Sequence, residues 1–413
     1  MRIDLSFGGK WLALAFKNTL RNRRRSLVTL AITATGTAAA LLGGGFALWT
    51  YQSLAEMSAR DTGHVIVAAP GQFDGTDSTP LAHGLDDAAA LARKLLARPG
   101  VQRVLPRVQF TGMISNGDKS EIFVGTGVDA NQEFLVKGPF LKRNEGELLD
   151  SVQPQDGPGV LIGSGMARSL NAHPGTSLTL LATTTAGSLN ALDVRVTGVV
   201  STGVAELDKR LIMVDLSTAQ SLLATKRVNT LHVYLEERDA TDTAAASLRH
   251  DFPKLEVRTW LDQAQMYTSV KGLYDRIFGF LGVIVMVIVV FSVTNALAMA
   301  VIERTREIGT LRAMGTTPGE ITRLFTLEGL VLGSGGAILG MALAAGVAMS
   351  LLMFDVRMPP PPGRTSGYPL MVMVSAQMYL TAAFIAAFLS AVSSWLVSRA
   401  AARQPVVEAL AHV

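Results

Sequence analysis

Apolar positions fall into two regimes along this chain. Three runs contain no charged residue, Leu27–Trp49, Ile277–Val301 and Met371–Val397, and a fourth, Leu324–Phe354, is interrupted only by Glu328. Runs of about 20 apolar residues, rising about 1.5 Å each, match a hydrocarbon layer of roughly 30 Å. The pattern therefore predicts four transmembrane helices, at 27–49, 277–301, 324–354 and 371–397. The long insert between the first two, 50–276, changes period. There, short apolar stretches alternate with turn residues, the mark of a folded mixed α/β (α+β) domain.

Within that insert, His64–Ala69 reads as a strand stopped by Pro70–Gly71, and Asp86–Ala97 as a helix opened by Asp86 and Asp87 and stopped by Pro99–Gly100. Val101–Phe110 and Glu121–Val128 read as strands joined through an Asn116–Gly117–Asp118 turn. A second block offers Val160–Ile162, a short helix near Gly165–Leu170, and a hairpin of Ser177–Leu181 with Asp193–Val200. It continues with a strand at Leu211–Asp215, a helix at Leu216–Ala224, a strand at Thr230–Leu235, a helix at Thr241–His250 and a last strand at Leu255–Arg258. The expectation is two strand-and-helix lobes whose first and last pieces pack together. From Leu261 onward the pattern predicts an unbroken helix into the second span.

Composition and charge sharpen the membrane reading. Of 413 residues, 49% are hydrophobic and 17% charged, against about 25% charged in ordinary soluble domains. The pI near 9.4 suggests nucleic acid until the charges are located. Met1–Ser26 holds seven basic residues against Asp4, whereas the insert holds 22 basic and 26 acidic residues, a net of −4. The basicity lies beside the membrane, and no nucleic-acid partner is expected. Basic residues on short loops mark the cytoplasmic side. This puts segment 1–26 inside, 50–276 outside, 302–323 inside with Arg304, Arg306, Arg312 and Arg323, 355–370 outside, and the tail 398–413 inside. The 23-residue first run exceeds a cleavable signal, so it reads as a retained helix. Before it, Trp11, Leu12, Leu14, Ala15, Phe16 and Leu20 recur at helical spacing among Lys10, Lys17 and Arg21. That is an amphipathic helix on the lipid surface, or else an extension of the first span.

The chain has no cysteine, which excludes thiolate chemistry and disulfides. Its six histidines are scattered without metal-binding spacing, and Gly163–Ser164–Gly165 is a turn in preference to a nucleophile elbow. No catalytic or metal-binding residue is nominated. The richest stretch lies between the second and third runs. Thr316–Thr317–Pro318–Gly319–Glu320 reads as a helix end and a new start, which makes the loop two short helices bent at Gly315. Ile308, Leu311 and Met314 recur every third residue as an apolar ridge, flanked by Arg304, Glu307 and Arg312. The ridge suits docking of a cytoplasmic partner in preference to burial in lipid. In the third run, Gly329–Gly333, Gly336–Gly340 and Ala342–Gly346 place small residues four apart, which lets helices approach closely. Glu328 is a costly carboxylate in hydrocarbon, and an anchoring or gating role is favoured over proton transfer. Pro359, Pro360, Pro361 and Pro362 stiffen the outer loop as a cap or contact surface.

Arg306–Glu307–Ile308–Gly309, then Leu311–Arg312–Ala313–Met314–Gly315 and Gly319–Glu320–Ile321, resemble the hallmark loop of the FtsX/MacB/LolC-LolE superfamily of ABC transporter permeases. The tail Arg403–Gln404–Pro405–Val406–Val407–Glu408–Ala409–Leu410 resembles that family's ending with one extra residue, and Ala13–Arg25 and Gly163–Gly175 resemble it too. The resemblance implies a mechanotransmission permease of the bacterial inner membrane, with both termini cytoplasmic and an outer domain of the MacB periplasmic-core type. It also implies a dimer with a second copy or a homologous permease, and a coupling helix seated on a cytoplasmic ABC ATPase dimer. ATP and Mg would be bound by that partner, since no Walker-type loop occurs in this sequence. The implied task is extraction or export of an amphiphile (lipoprotein, lipid, peptide or drug), with membrane lipids and a periplasmic carrier or adaptor as further contacts. The alternative is a non-transporting regulator that activates an envelope hydrolase.

Overall fold

The computed structural model describes residues 14–19, 21, 23–74, 81–149, 157–354, 356–359 and 367–402. The chain divides into two units, one made of Met1–Gln52, Val270–Arg357 and Pro369–Val413, the other of Ser53–Ser269 and Met358–Tyr368.

The first unit is helical. Among the described residues, four helices are long and apolar enough to cross a membrane: Arg23–Thr62, Tyr267–Glu303 within a helix that starts at Gln265, Pro318–Phe354, and Ala376–Ala401. Three of them outrun the uncharged stretches, because backbone hydrogen bonding continues into the charged flanks once a helix is nucleated. The fourth is shorter at its start. Residues 371–375 are not helical, and Met373 N–H donates instead to the Gly45 carbonyl of the first helix at 3.1 Å. The helix expected without a break from Leu261 is interrupted: Trp260–Gln263 closes at Ala264 before the second span begins. A capping box between Thr259 and Asp262 starts that short piece. The Ala264 N–H returns to the Leu261 carbonyl at 3.2 Å and ends it.

The second unit is a mixed α/β domain built on one ten-stranded sheet, not on two lobes. Its strands are β1 (Val65–Ala68), β2 (Val101–Ser115), β3 (Ser120–Val128), β4 (Lys142–Gly146), β5 (Gly159–Gly163), β6 (Ser177–Thr183), β7 (Leu189–Ser201), β8 (Leu211–Asp215), β9 (Thr230–Leu235) and β10 (Glu256–Thr259). They run in the order β10-β1-β9-β2-β3-β8-β5-β7-β4, with β6 beside β2 and β7. The first and last strands do pair, Val65 opposite Thr259. Long β2 joins the two halves: its start pairs with β9 and its end with β3 and β6. The all-exposed β4 has no apolar alternation, and only its pairing with β7 makes it a strand.

Local signals explain most of the other elements. Asp87 caps helix Ala88–Leu96, Asp129 caps Ala130–Lys137 and Asp215 caps Leu216–Leu222, each accepting from a backbone N–H of the first turn. Gly117 takes φ +95° in the β2–β3 turn, a conformation costly for a residue with a Cβ. Beneath the sheet, Ile114, Phe123, Ile162, Met166, Leu170, Leu180 and Ile212 are fully buried in one core, and Phe110 meets Phe123 edge-on at 5.4 Å.

Candidate functional site

The loop between the second and third spans contains one short helix, Thr305–Ala313. What reads in the sequence as a second short helix is the first turn of the third span, which starts at Pro318. The break is sharp because two motifs meet there. Gly315 (φ +102°) donates to the Arg312 carbonyl at 3.0 Å, and Thr316 donates to the Leu311 carbonyl at 3.1 Å, which satisfies the last carbonyls of the loop helix. Thr317 and Glu320 then exchange hydrogen bonds. The Thr317 N–H reaches Glu320 Oε2 at 2.9 Å, and the Glu320 N–H reaches Thr317 Oγ1 at 3.3 Å.

The expected apolar ridge is split. Ile308 is 6% exposed and packs with Val301, Ile321, Phe325 and Ala402; Gly309 is buried as well. Leu311 at 39% and Met314 at 70% stand out in the open. One face thus fastens the helix, and the other presents two apolar side chains beside exposed Arg306. Arg312 is half-buried.

Charged groups tie this helix down. Arg304, between the second span and the loop helix, donates Nε to Glu307 Oε2 at 3.0 Å and Nη1 to Glu328 Oε1 at 3.1 Å. Its guanidinium lies over the Phe325 ring at 5.6 Å. Glu328, 5% exposed, also accepts from Asn18 Nδ2 at 2.6 Å. Glu307 accepts from Arg21 Nη2 at 2.9 Å, and Arg25 pairs with Glu303. Hydrogen bonds from Arg304 and then Arg21 hold the Glu307 carboxyl below the usual carboxylate range. Asn18 had no sequence signal of a role, because an amide in an amphipathic segment reads as surface.

The third-span glycines separate into two contacts. A Cβ on Gly329 or Gly333 would collide with Ser394 or Ser390 of the fourth span. On Gly336 it would sit 2.6 Å from Thr33 Cβ, and on Gly340 2.6 Å from the Ala34 carbonyl, both on the first span. Gly346 has open space around its Cβ position, with nothing within 4 Å, so it marks no close helix contact. Pro359 is exposed. Pro360, Pro361 and Pro362, the tail motif 403–410 and the start of the amphipathic segment lie outside the described residues; within that segment, residues 14–19 are helical.

The outer domain holds a second charged cluster, around Arg107 of β2. Its Nη2 meets Glu133 Oε1 at 2.7 Å and the Tyr234 hydroxyl at 2.8 Å, and its Nη1 donates to the Asp61 carbonyl. The Tyr234 hydroxyl donates to the Arg60 carbonyl at 3.0 Å. His232 Nδ1 lies 2.5 Å from the Thr62 carbonyl and therefore carries the proton, leaving Nε2 to accept from Thr230 Oγ1 at 2.7 Å. Three successive orphan carbonyls at the end of helix Arg23–Thr62 thus each find a donor on β2 or β9. Burial and then the nearby Arg107 charge hold His232 well below its ordinary range. Burial opposes the Arg107 charge, but Glu133, Tyr234 and Asp61 together outweigh it, so its pKa is raised. The signal for this cluster was a charged or titratable residue inside an otherwise apolar strand.

Ser164 stands at the junction of β5 with a helix, where its Oγ donates to Asp208 Oδ2 at 3.1 Å. Ser201 (2.5 Å) and Thr202 complete the shell of that buried carboxylate, and Gly163 and Gly165 lie against the backbone of Asp208 and Lys209. The Gly-Ser-Gly stretch is a packing junction. Among the described residues, no three His, Cys, Asp or Glu side chains gather to hold a metal.

The MacB-like periplasmic core domain profile matches residues 26–251, more than half of the chain, and the FtsX-like permease C-terminal profile matches residues 279–406. The chain belongs to the FtsX/MacB/LolCE-like permease superfamily. This permease is 25% identical over 274 residues to the lipoprotein-releasing system transmembrane protein LolE of Haemophilus influenzae, covering 64% of each chain. It is 24% identical to LolC of Neisseria meningitidis serogroup B, covering 80% of this chain and 79% of that one. It is 25% identical to the macrolide export ATP-binding/permease protein MacB of Salmonella choleraesuis, covering 97% of this chain and 60% of that one. It therefore spans less than two thirds of the length of the LolE and MacB relatives. The crystallised periplasmic region of MacB from Actinobacillus actinomycetemcomitans is 18% identical with a TM-score of 0.36, over 50% of this chain and 92% of that one. The permease is a multi-pass protein of the inner membrane, with four long apolar helices and a large mixed α/β domain.

Proposed function

We propose that this permease couples ATP hydrolysis by a separate cytoplasmic ATPase to extraction or export of an amphiphilic substrate. The loop helix is the contact surface, and the observation that carries this is its split face. Ile308 and Gly309 fix one side to the permease, while Leu311 and Met314 remain exposed on the other. Two exposed apolar side chains on a short, well-braced helix suit insertion into a partner's groove. Arg306, Glu307, Arg312, Gly315 and Glu320 shape and flank that surface. Gly329, Gly333, Gly336 and Gly340 join the third span closely to its neighbours, so a push on the loop helix has a stiff path into the helical unit. An amphiphilic cargo is favoured because the relatives are described as releasing lipoproteins or exporting macrolides. The permease works as a dimer, with both termini, the loop helix and the ATPase on the cytoplasmic side and 50–276 outside.

The test is a pull-down of the ATPase that co-purifies with the wild-type permease from its native host. The double variant L311D/M314D, which places two charges where an apolar contact is expected, should insert normally and lose that ATPase. Normal recovery of it, or no ATPase with the wild type, overturns the reading. Sidedness is checked in the same membranes, because the chain lacks cysteine. Asn190→Cys should react with an impermeant maleimide from outside, and Thr316→Cys should not.

A further inference from the structure

We propose that Arg304 and Glu328 are a positioning pair that makes the loop helix and the third span move as one body. The proposal rests on the reading that the loop helix receives the ATPase stroke, and it names the residues that keep the stroke from dissipating at the hinge. The hinge is real: the second span ends at Glu303, Arg304 leaves helical geometry at φ −109° and ψ 12°, and a new helix starts at Thr305. A single non-helical residue between two helices is a swivel unless something holds it.

Arg304 is held from both sides. Its planar guanidinium offers donors in fixed directions. One edge reaches Glu307 within the loop helix, another reaches Glu328 three turns into the third span, and its face covers Phe325 of that span. Swivelling the loop helix away from the third span would strip a charged partner from Glu328, which is 5% exposed within a spanning helix. Leaving a buried charge uncompensated is the expensive event, more so than the pair itself is favourable. Asn18 and Arg21 close the circuit: Asn18 shares Glu328 and Arg21 shares Glu307. The N-terminal segment is thereby bound to the same hinge. Apolar contacts of Ile308 with Ile321 and Phe325 lie alongside, but apolar packing alone permits sliding, whereas a fork of charged hydrogen bonds fixes direction.

The measurement uses the whole permease alone, in phosphatidylethanolamine–phosphatidylglycerol vesicles, with nitroxide labels at Thr310→Cys and Leu396→Cys. Wild type should give one narrow distance distribution. Glu328→Gln should broaden it about twofold as alternative hinge angles become populated. Because Glu328→Gln leaves the half-buried Arg304 charge with Glu307 alone, the neutral pair R304Q/E328Q is measured too and should be as broad. Glu328→Asp, which keeps a carboxylate for Arg304 and Asn18, should stay narrower than Glu328→Gln, which mere destabilisation cannot explain. A distribution that stays narrow in the neutral pair, or is as broad in Glu328→Asp as in Glu328→Gln, overturns the proposal. No ATPase enters this experiment, so its failure is separable from failure of the pull-down.

Discussion

Arg107 and Arg304 each centre a network among the described residues, and the two networks solve different problems. Arg107 lies in the sheet domain with a fully buried acidic partner, Glu133, and together with His232 and Tyr234 it caps three carbonyls of one helix end. Arg304 lies at a helix hinge, with one buried partner, Glu328, and one half-exposed partner, Glu307. The first network is enclosed, with Arg107 and Glu133 both buried, so it holds one geometry. The second joins several elements while staying open to water on one side, so it can hold an angle and still be disturbed from solvent. Similar chemistry becomes a rivet in one place and a latch in the other, and the difference is solvent access.

The largest effect should come from breaking the rivet. Arg107→Met leaves the buried Glu133 with only Lys137, 3.6 Å away, and strips the Asp61 carbonyl of its donor, which should cost about 3–5 kcal/mol. Thermal unfolding of the full chain in detergent, followed in the sheet domain, reads this loss. Arg304→Met should cost clearly less, because Asn18 still donates to Glu328 and Glu307 keeps Arg21. Equal losses would remove the distinction.

Packing in the helical unit should be the next most sensitive. Gly333→Leu drives a side chain into Ser390 of the fourth span, and overpacking of this kind costs about 1–3 kcal/mol. Gly346→Leu, where nothing approaches within 4 Å, should be nearly neutral. Detergent stability of the two variants side by side is the check.

The smallest effect is a pH dependence peculiar to the rivet. His232 is neutral in the folded domain and its pKa is held well below 6.5. Its stabilisation is therefore complete above the unfolded-state pKa and is lost as pH falls below it, because the unfolded chain binds a proton that the folded chain refuses. The slope approaches about 1.4 kcal/mol per pH unit. His64 is shifted the same way by burial and adds in the same direction. Between pH 6.5 and 5, unfolding of His232→Gln should be measurably less pH-dependent than wild type; an unchanged slope would place the titration elsewhere.

What the sequence by itself determined is what depends on each residue's own neighbourhood. The four apolar runs, the alternation of the outer strands, the aspartates that open helix Ala88–Leu96 and the Gly315–Glu320 boundary were legible because hydrocarbon partition, pleat and capping act over a few residues. The tertiary structure alone decided which way things face and whom they meet. Ile308, Leu311 and Met314 share one spacing, yet Ile308 is inside and the others are outside, because Ile321 and Phe325 happen to cover it. The all-polar β4 is a strand only through β7, and one sheet replaces two lobes because β2 is long enough to pair in both halves. The break at Ala264 was equally hidden, since no glycine or proline marks it. Glu328 announced itself as an expensive charge, but its partners, Arg304 at 24 residues and Asn18 at 310, lie at separations that no local pattern records. A buried charge demands compensation, and where in the chain that compensation comes from is settled only by the fold.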